Sequence, residues 1–402
     1  MNKMLHAPFA LQHYATNFYQ KHYYESKIIR NWKELRINPT ALQELQNELK
    51  PKPLKEKQPF HLLPHHEQTL IYEIKQKVRL QNRNNLTRTK AYFEFFQKYP
   101  EIHWAFLAHL VSRNGGWNMT DLKGDLTEAL NKEKRNHFFH FLESANALIF
   151  YDAYPQLLLY EESKKQKKNI FYLLPYFNVS SFMLPVWNYF FARQDSQFLT
   201  VSLIINEQHY IEKRVIQNTF FRKHVLDTLL FQVQELMQFT QVLLPYEYKK
   251  QKRKRLAGTI VENFDSISER IMVGKHLYAI LFGLSPLFSD IYSFALNTSH
   301  SGSRADYWPT IFTDQKKKRT KKMSSSTFCD PIYSPALSEA WQDVTHTFTD
   351  HTDWFLEKKT DIDTFYETIR VPNSFDVTTS YYRNLQKIII GSLAYEQAKK
   401  MF

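Results

Sequence analysis

The chain reads as an all-α protein: an irregular multi-helix bundle with basic loops and at most minor β structure. Three observations lead there. Eight glycines in 402 residues are too few for a glycine-turned sandwich or a dinucleotide-binding sheet. Long stretches are rich in Leu, Glu, Gln, Lys and Ala, which favour helices. A hydrophobic content of 43%, with 16% aromatic, supplies ample apolar surface for a packed core.

The elements follow in order. Tyr14 to Arg36 reads as a helix, and Thr40 in Asn38-Pro39-Thr40 is placed to cap a short one after it. Pro51, Pro53 and Pro59 mark a linker. Apolar residues at helical spacing then predict helices over 67–81, 89–98, 102–113 and 132–153. The apolar segment 171–192 reads as core; Pro175 and Pro185, with Asn178 and Asn188, argue against a membrane span. The type of 197–217 stays open between strand and helix. Helices are expected over 220–243, 260–282, 341–357 and 381–401, and a mobile loop over 314–327. This divides the chain into an amino-terminal helical segment and linker (1–60), a helical core (61–312), a basic and serine-rich loop (313–330) and a carboxy-terminal helical segment (331–402).

The densest polar stretch is Ser112-Arg113-Asn114-Gly115-Gly116-Trp117-Asn118-Met119-Thr120-Asp121-Leu122-Lys123-Gly124, which holds three of the eight glycines. Asn114 and Gly115 can end a helix in the left-handed conformation, and Asn118 or Thr120 can cap the next. The stretch therefore predicts a helix-turn-helix corner. Arg113 shares a stripe with His109 and Phe106, so its charge needs a partner, and Asp121 is the nearest acid. Either the two form a structural pair, or Arg113, Asn114, Trp117, Asn118 and Asp121 line a ligand site at the corner. The pattern is not a phosphate loop, because it lacks the Gly-Lys-Ser/Thr ending and follows a helix. With the preceding His103-Trp104-Ala105-Phe106-Leu107-Ala108-His109-Leu110-Val111, it resembles an uncharacterised protein family of Bacillus-type bacteria, a domain of unknown function. The resemblance implies a cytoplasmic helical protein and carries no activity or catalytic residue with it.

The net charge of +13 is local. Run one is Lys164, Lys165, Lys167 and Lys168. Run two is Lys249, Lys250, Lys252, Arg253, Lys254 and Arg255. Run three is Lys316, Lys317, Lys318, Arg319, Lys321 and Lys322. These sixteen of 53 cations carry the whole surplus, since the remaining cations are fewer than the 40 acids. Such runs suit sequence-independent binding of a nucleic acid, with Trp117 or Trp308 available for base stacking. A solvated, solubilising role is the plain alternative. Run one next to Phe171, Tyr172, Leu173 and Leu174 also fits shallow docking on an anionic membrane.

No cofactor or metal is expected. His61, His65 and His66, the pair His137 and His140, and the row Glu262, Asp265 and Glu269 have helical spacing but read as ordinary polar residues. Cys329 is the only cysteine and has no disulfide partner, which fits a reducing cytoplasm. The amino terminus lacks an apolar secretory core. Two function classes result: a non-enzymatic binding protein using the basic runs, or an enzyme with a small anionic substrate near Arg113 and Asp121. A protein-protein scaffold survives the failure of both.

Overall fold

A computed structural model describes residues 25–26, 28–30, 32, 34–49, 58–127, 130–228, 241–247, 254–261, 263–316, 331–357, 362–367, 369 and 372–388. Helices dominate, as the composition requires. They are α1 Pro39–Leu49, α2 His65–Gln81, α3 Asn85–Lys98, α4 His103–Asp121, α5 Lys132–Gln166, α6 Met183–Arg193 and α7 Ser196–Ile211, then α8 Ile267–Gly283, α9 Ser285–Asn297 and α10 over 378–388. Two small strand pairs complete the fold: β1 Gln241–Tyr246 runs antiparallel to β2 Arg255–Ile260, and β3 Phe312–Thr313 parallel to β4 Ile332–Tyr333.

Helix α4 is central, packing against α3, α5, α7 and α8. Trp104, Ala105, Phe106, Leu107 and Leu110 are buried on several of its sides, as an apolar helix demands when neighbours surround it. The main core extends through Trp187, Phe198 and Ile204 to Tyr278. A second, smaller apolar cluster joins Trp117, Leu243, Leu256, Trp308, Phe312 and Tyr381, so it gathers the hairpin, the strand pair and α10 around the carboxyl half of α4.

Several elements depart from the sequence expectation for identifiable reasons. No corner forms at Gly115-Gly116; α4 continues to Asp121, and the glycines serve close approach instead. A Cβ on Gly116 would come within 2.4 Å of Asn85 Oδ1 and 2.5 Å of His300 Nε2, and one on Gly115 within 3.0 Å of Asn146 Nδ2. Helix α5 does not stop near Ala153: Pro155 sits inside it. The open segment 197–217 is helix α7 followed by a π turn, Glu212–Ile216. Of the helix expected over 220–243, the part to 228 is helical, 229–240 lies outside the described residues and 241–243 belongs to β1, while the helix expected over 260–282 begins only at Ile267. Helix α10 begins three residues before the expected 381–401, whose part after 388 lies outside the described residues, as do the linker prolines Pro51 and Pro53 and most of 314–327.

The largest difference is at 341–357. Only Trp354–Glu357 is helical; 341–353 is an extended strap across the bundle. Val344, His346, Phe348 and Asp350 are partly buried while Thr345, Thr347 and Thr349 are exposed, the alternation of an extended chain lying on a surface. The strap is fastened along its length. Trp341 stacks on Phe139 at 3.9 Å and donates to the Met119 carbonyl at 2.7 Å. Asp353 accepts from Ser180 Oγ at 2.6 Å, and Trp354 donates to Asn206 at 2.9 Å.

The described residues contain no single helix long and apolar enough to cross a membrane. Helices α8 and α9 reach that composition only together, and they are bent by 96°.

Candidate functional site

The polar half of α4 meets the second polar-aromatic segment, 298–308, in a closed cluster. Asp121 pairs with Arg304, not with Arg113: Arg304 Nε lies 2.9 and 2.7 Å from the two Asp121 oxygens, and Nη2 lies 2.6 Å from Oδ2. Arg304 also donates to the Tyr307 and Tyr381 hydroxyls at 2.8 and 2.7 Å and to Asn118 Oδ1 at 3.1 Å. All three nitrogens of its guanidinium therefore donate to protein groups. Burial alone would lower this guanidinium, but Asp121 holds it well above its usual value.

Arg113 is 1% exposed. It donates to the Thr298 carbonyl at 2.8 Å, stacks over Phe294 at 4.6 Å and lies 3.7 Å from Asp306. Burial lowers it to about 10, partly offset by Asp306, so it is a cation at neutral pH. Trp117 donates to Asp306 at 3.3 Å. Asn114 reads the hairpin: its Oδ1 accepts from Leu243 N and its Nδ2 donates to the Leu243 carbonyl, both at 2.8 Å. All five side chains predicted to line a ligand site thus hold protein partners and are buried.

The basic runs divide. In run two, Arg255 is buried and pairs with Asp376 at 2.7 Å, while Lys254 lies over Phe294 at 4.4 Å and near Glu247. In run three, Lys316 lies 6.0 Å over the Tyr333 ring. Lys249, Lys250, Lys252, Arg253, Lys317, Lys318, Arg319, Lys321 and Lys322 lie outside the described residues. The stems of these two runs meet, because Trp308 Nε1 donates to the Lys254 carbonyl at 2.8 Å and Phe312 leads toward Lys316. Run one does not join them. Lys164 pairs with Glu101 at 2.6 Å, before the amino end of α4, whereas the hairpin sits at Asn114, roughly 20 Å further along the axis at 1.5 Å per residue. Neither tryptophan is a stacking platform, since Trp117 and Trp308 are each 1% exposed. Phe171, Leu173 and Leu174 are likewise core, leaving Tyr172 exposed among the four residues expected at a membrane.

A cleft of about 600 Å³ opens elsewhere, between α2, α5 and the strap. Its volume is that of a drug-sized ligand site. Lys75 and Arg79 stand one turn apart on α2, followed by Asn82 and Arg83 at its end. Across from them Tyr151, Phe348 and His346 form an aromatic row: Tyr151 and Phe348 have centroids 4.4 Å apart, and His346 lies parallel to Phe348 at 5.7 Å. Tyr151 and Pro155 both line the cleft, and proline has no N–H to give the Tyr151 carbonyl, so the helix leaves that acceptor outside its ladder.

The cleft is braced from below. Asn82 accepts from Arg88 at 3.1 Å and donates to the Ala147 carbonyl at 3.0 Å. Arg88 pairs with buried Glu143, which also accepts from His346 Nε2 at 3.0 Å, tying the strap down. Burial pushes the Glu143 carboxyl up, but Arg88 and His346 overcome that and hold it below the usual range. Arg83 is neutralised by Asp343 at 3.1 Å. Lys75 and Arg79 have no acidic partner among the described residues, and crowding by the cleft walls lowers the Lys75 amine although the side chain stays exposed.

Sequence reasoning passed over this site. Its signals are a Lys-x-x-x-Arg-x-x-x-Arg stripe at helical spacing in 75–83 and the period-two run Val344-Thr345-His346-Thr347-Phe348-Thr349, inside the expected helix 341–357. Among the described residues no cluster of three or more His, Cys, Asp or Glu side chains could hold a metal.

Comparison with known proteins places the chain. Residues 80–370 match the family model described as "Protein of unknown function (DUF2515)". The chain is 37% identical over 330 residues to the uncharacterized protein YppC of Bacillus subtilis (strain 168), covering 82% of this chain and 95% of that protein. No solved structure matches it. With the matched region taking in α4, most of the cleft and the strap, the chain belongs to the DUF2515 family.

Proposed function

We propose that the protein is a non-catalytic binding protein for a small anionic ligand, and that the ligand enters the cleft between α2 and the strap. The observation that carries this is the pair Lys75 and Arg79, two cations one turn apart on a cleft wall that no acidic side chain pairs among the described residues. An anion would supply the missing partner. The acids around the cleft are already engaged, Asp343 by Arg83 and Glu143 by Arg88 and His346, which speaks against a carboxylate base for catalysis. An enzyme centred on Arg113 and Asp121 is less well supported, because both side chains are buried and pair with other protein groups, Arg113 with the Thr298 carbonyl and Asp121 with Arg304.

Thermal denaturation in the presence of a panel of small carboxylates and phosphates tests the proposal, since a ligand that binds only the folded state raises the midpoint. Panel members should stabilise the protein, and the double variant Lys75→Gln/Arg79→Gln should lose that response while melting normally in buffer. A double variant that responds as the parent does would overturn it.

A second reading, sequence-independent nucleic-acid binding by runs two and three, is favoured by the Trp308 to Lys254 hydrogen bond that joins their stems. It rests on charge alone, without base stacking. It requires affinity for random RNA or DNA that falls steeply with salt and drops when the runs become glutamine; no binding at low salt removes it. Either activity fits a cytoplasmic protein.

A further inference from the structure

The walls of the cleft differ in chemistry, and the difference specifies more than a negative charge. One wall is cationic, with Lys75 and Arg79 separated along α2 by four residues, about 6 Å of rise. A single phosphate or carboxylate group spans that gap. The opposite wall is aromatic, formed by Tyr151 and Phe348. Val78, Pro155, Phe177 and Val344 complete an apolar surface between them.

A free inorganic anion would leave this apolar surface wet, and a neutral hydrocarbon would leave the two cations unpaired. One further feature sets orientation. Arg83 is already engaged by Asp343, so the unpaired cations that remain for an acid group are Lys75 and Arg79.

We propose that the cleft takes an aromatic acid: a flat ring lying along Tyr151 and Phe348, with its phosphate or carboxylate group held between Lys75 and Arg79. The proposal rests on the cleft being the binding site, and its test separates the two claims. Calorimetric titration of the full chain uses four probes: phenyl phosphate, phenylacetate, inorganic phosphate and benzyl alcohol. The two aromatic acids should bind at least tenfold more tightly than either inorganic phosphate or benzyl alcohol. Their relative affinities distinguish a phosphate-bearing from a carboxylate-bearing natural ligand.

Lys75→Gln/Arg79→Gln should weaken both aromatic acids about tenfold and leave benzyl alcohol unchanged. Phe348→Leu, which keeps the strap's apolar contact should Phe348→Ala not fold, should weaken the aromatic probes and spare inorganic phosphate. Inorganic phosphate binding as tightly as phenyl phosphate would overturn the ring, and benzyl alcohol binding as tightly would overturn the acid group; in both cases cleft binding itself survives. Binding of every probe unaffected by all three substitutions would overturn the cleft as the site.

Discussion

Asp121→Asn should be among the most damaging single-atom changes available in this protein. Arg304 is 2% exposed, and the Asp121 carboxylate is its counter-charge, contacted at 2.6 to 2.9 Å by two of its nitrogens. Neutralising the acid leaves a guanidinium enclosed by Asn118, Tyr307 and Tyr381, none of which carries a negative charge at neutral pH. Removing one partner of a buried ion pair costs about 3–5 kcal/mol, a large share of a total stability of about 5–15 kcal/mol. At an m-value of about 3 kcal/mol/M, the urea midpoint should fall by about 1–1.7 M. Unfolding followed by tryptophan fluorescence gives the shift directly, since Trp117 and Trp308 lie in the same cluster. Replacing both partners by leucine should recover part of the loss, because no orphan charge then remains. A midpoint shift worth under about 1 kcal/mol for Asp121→Asn would refute the argument that this cluster holds the fold together.

Further outcomes follow from other contacts. Gly116→Ala should destabilise the protein by about 1–3 kcal/mol in the same assay, because its Cβ would collide with Asn85 and His300. Gly115→Ala should cost less, since it meets the Asn146 side chain at 3.0 Å; equal effects would contradict the close-approach account. Asp152 and Glu207 are raised by burial to about 7 and about 8 from ordinary values of 3.8 and 4.5. The folded state therefore keeps protons that the unfolded chain releases, so stability is present at low pH and is lost as pH climbs from about 4 to about 8, by about 1.4 kcal/mol per pH unit for each group. Asp152→Asn and Glu207→Gln should flatten that slope in chemical denaturation across pH; an unchanged slope would contradict it. Asn114→Ala should loosen the hairpin, seen as faster amide exchange at Leu243, whereas unaltered exchange would show that the strand is held elsewhere.

The sequence carried the helices well and the site poorly, and the reason differs by element. Helices such as α2 and α3 are legible because their buried residues, for example Ile71, Ile74 and Val78, recur at helical spacing. The glycines after Arg113 misled, because glycine serves two needs, a positive φ and an absent Cβ, and only neighbours 30 or 180 residues away reveal the second. The partner of Asp121 lies 183 residues downstream, beyond any local pattern. The hairpin is hidden by Pro245, a residue uncommon within strands that here lies inside β1. The strap is legible in the sequence, since threonine alternating with Val344, His346 and Phe348 is a strand-like pattern.

The cleft between α2 and the strap is the central claim, and pyridoxal phosphate addresses it most directly. This flat ring carries a phosphate and an aldehyde; the aldehyde condenses with an unprotonated amine, losing water, and borohydride reduces the imine to a stable adduct located by mass spectrometry. Partial burial lowers the Lys75 amine, and Lys75 lines the cleft with Tyr151 and Phe348, so it should be labelled ahead of Lys167 and Lys168, which lie outside the cleft, and phenyl phosphate should protect it. Uniform labelling of surface lysines, with Lys75 neither preferred nor protected, would contradict the cleft as the place where this protein binds its ligand.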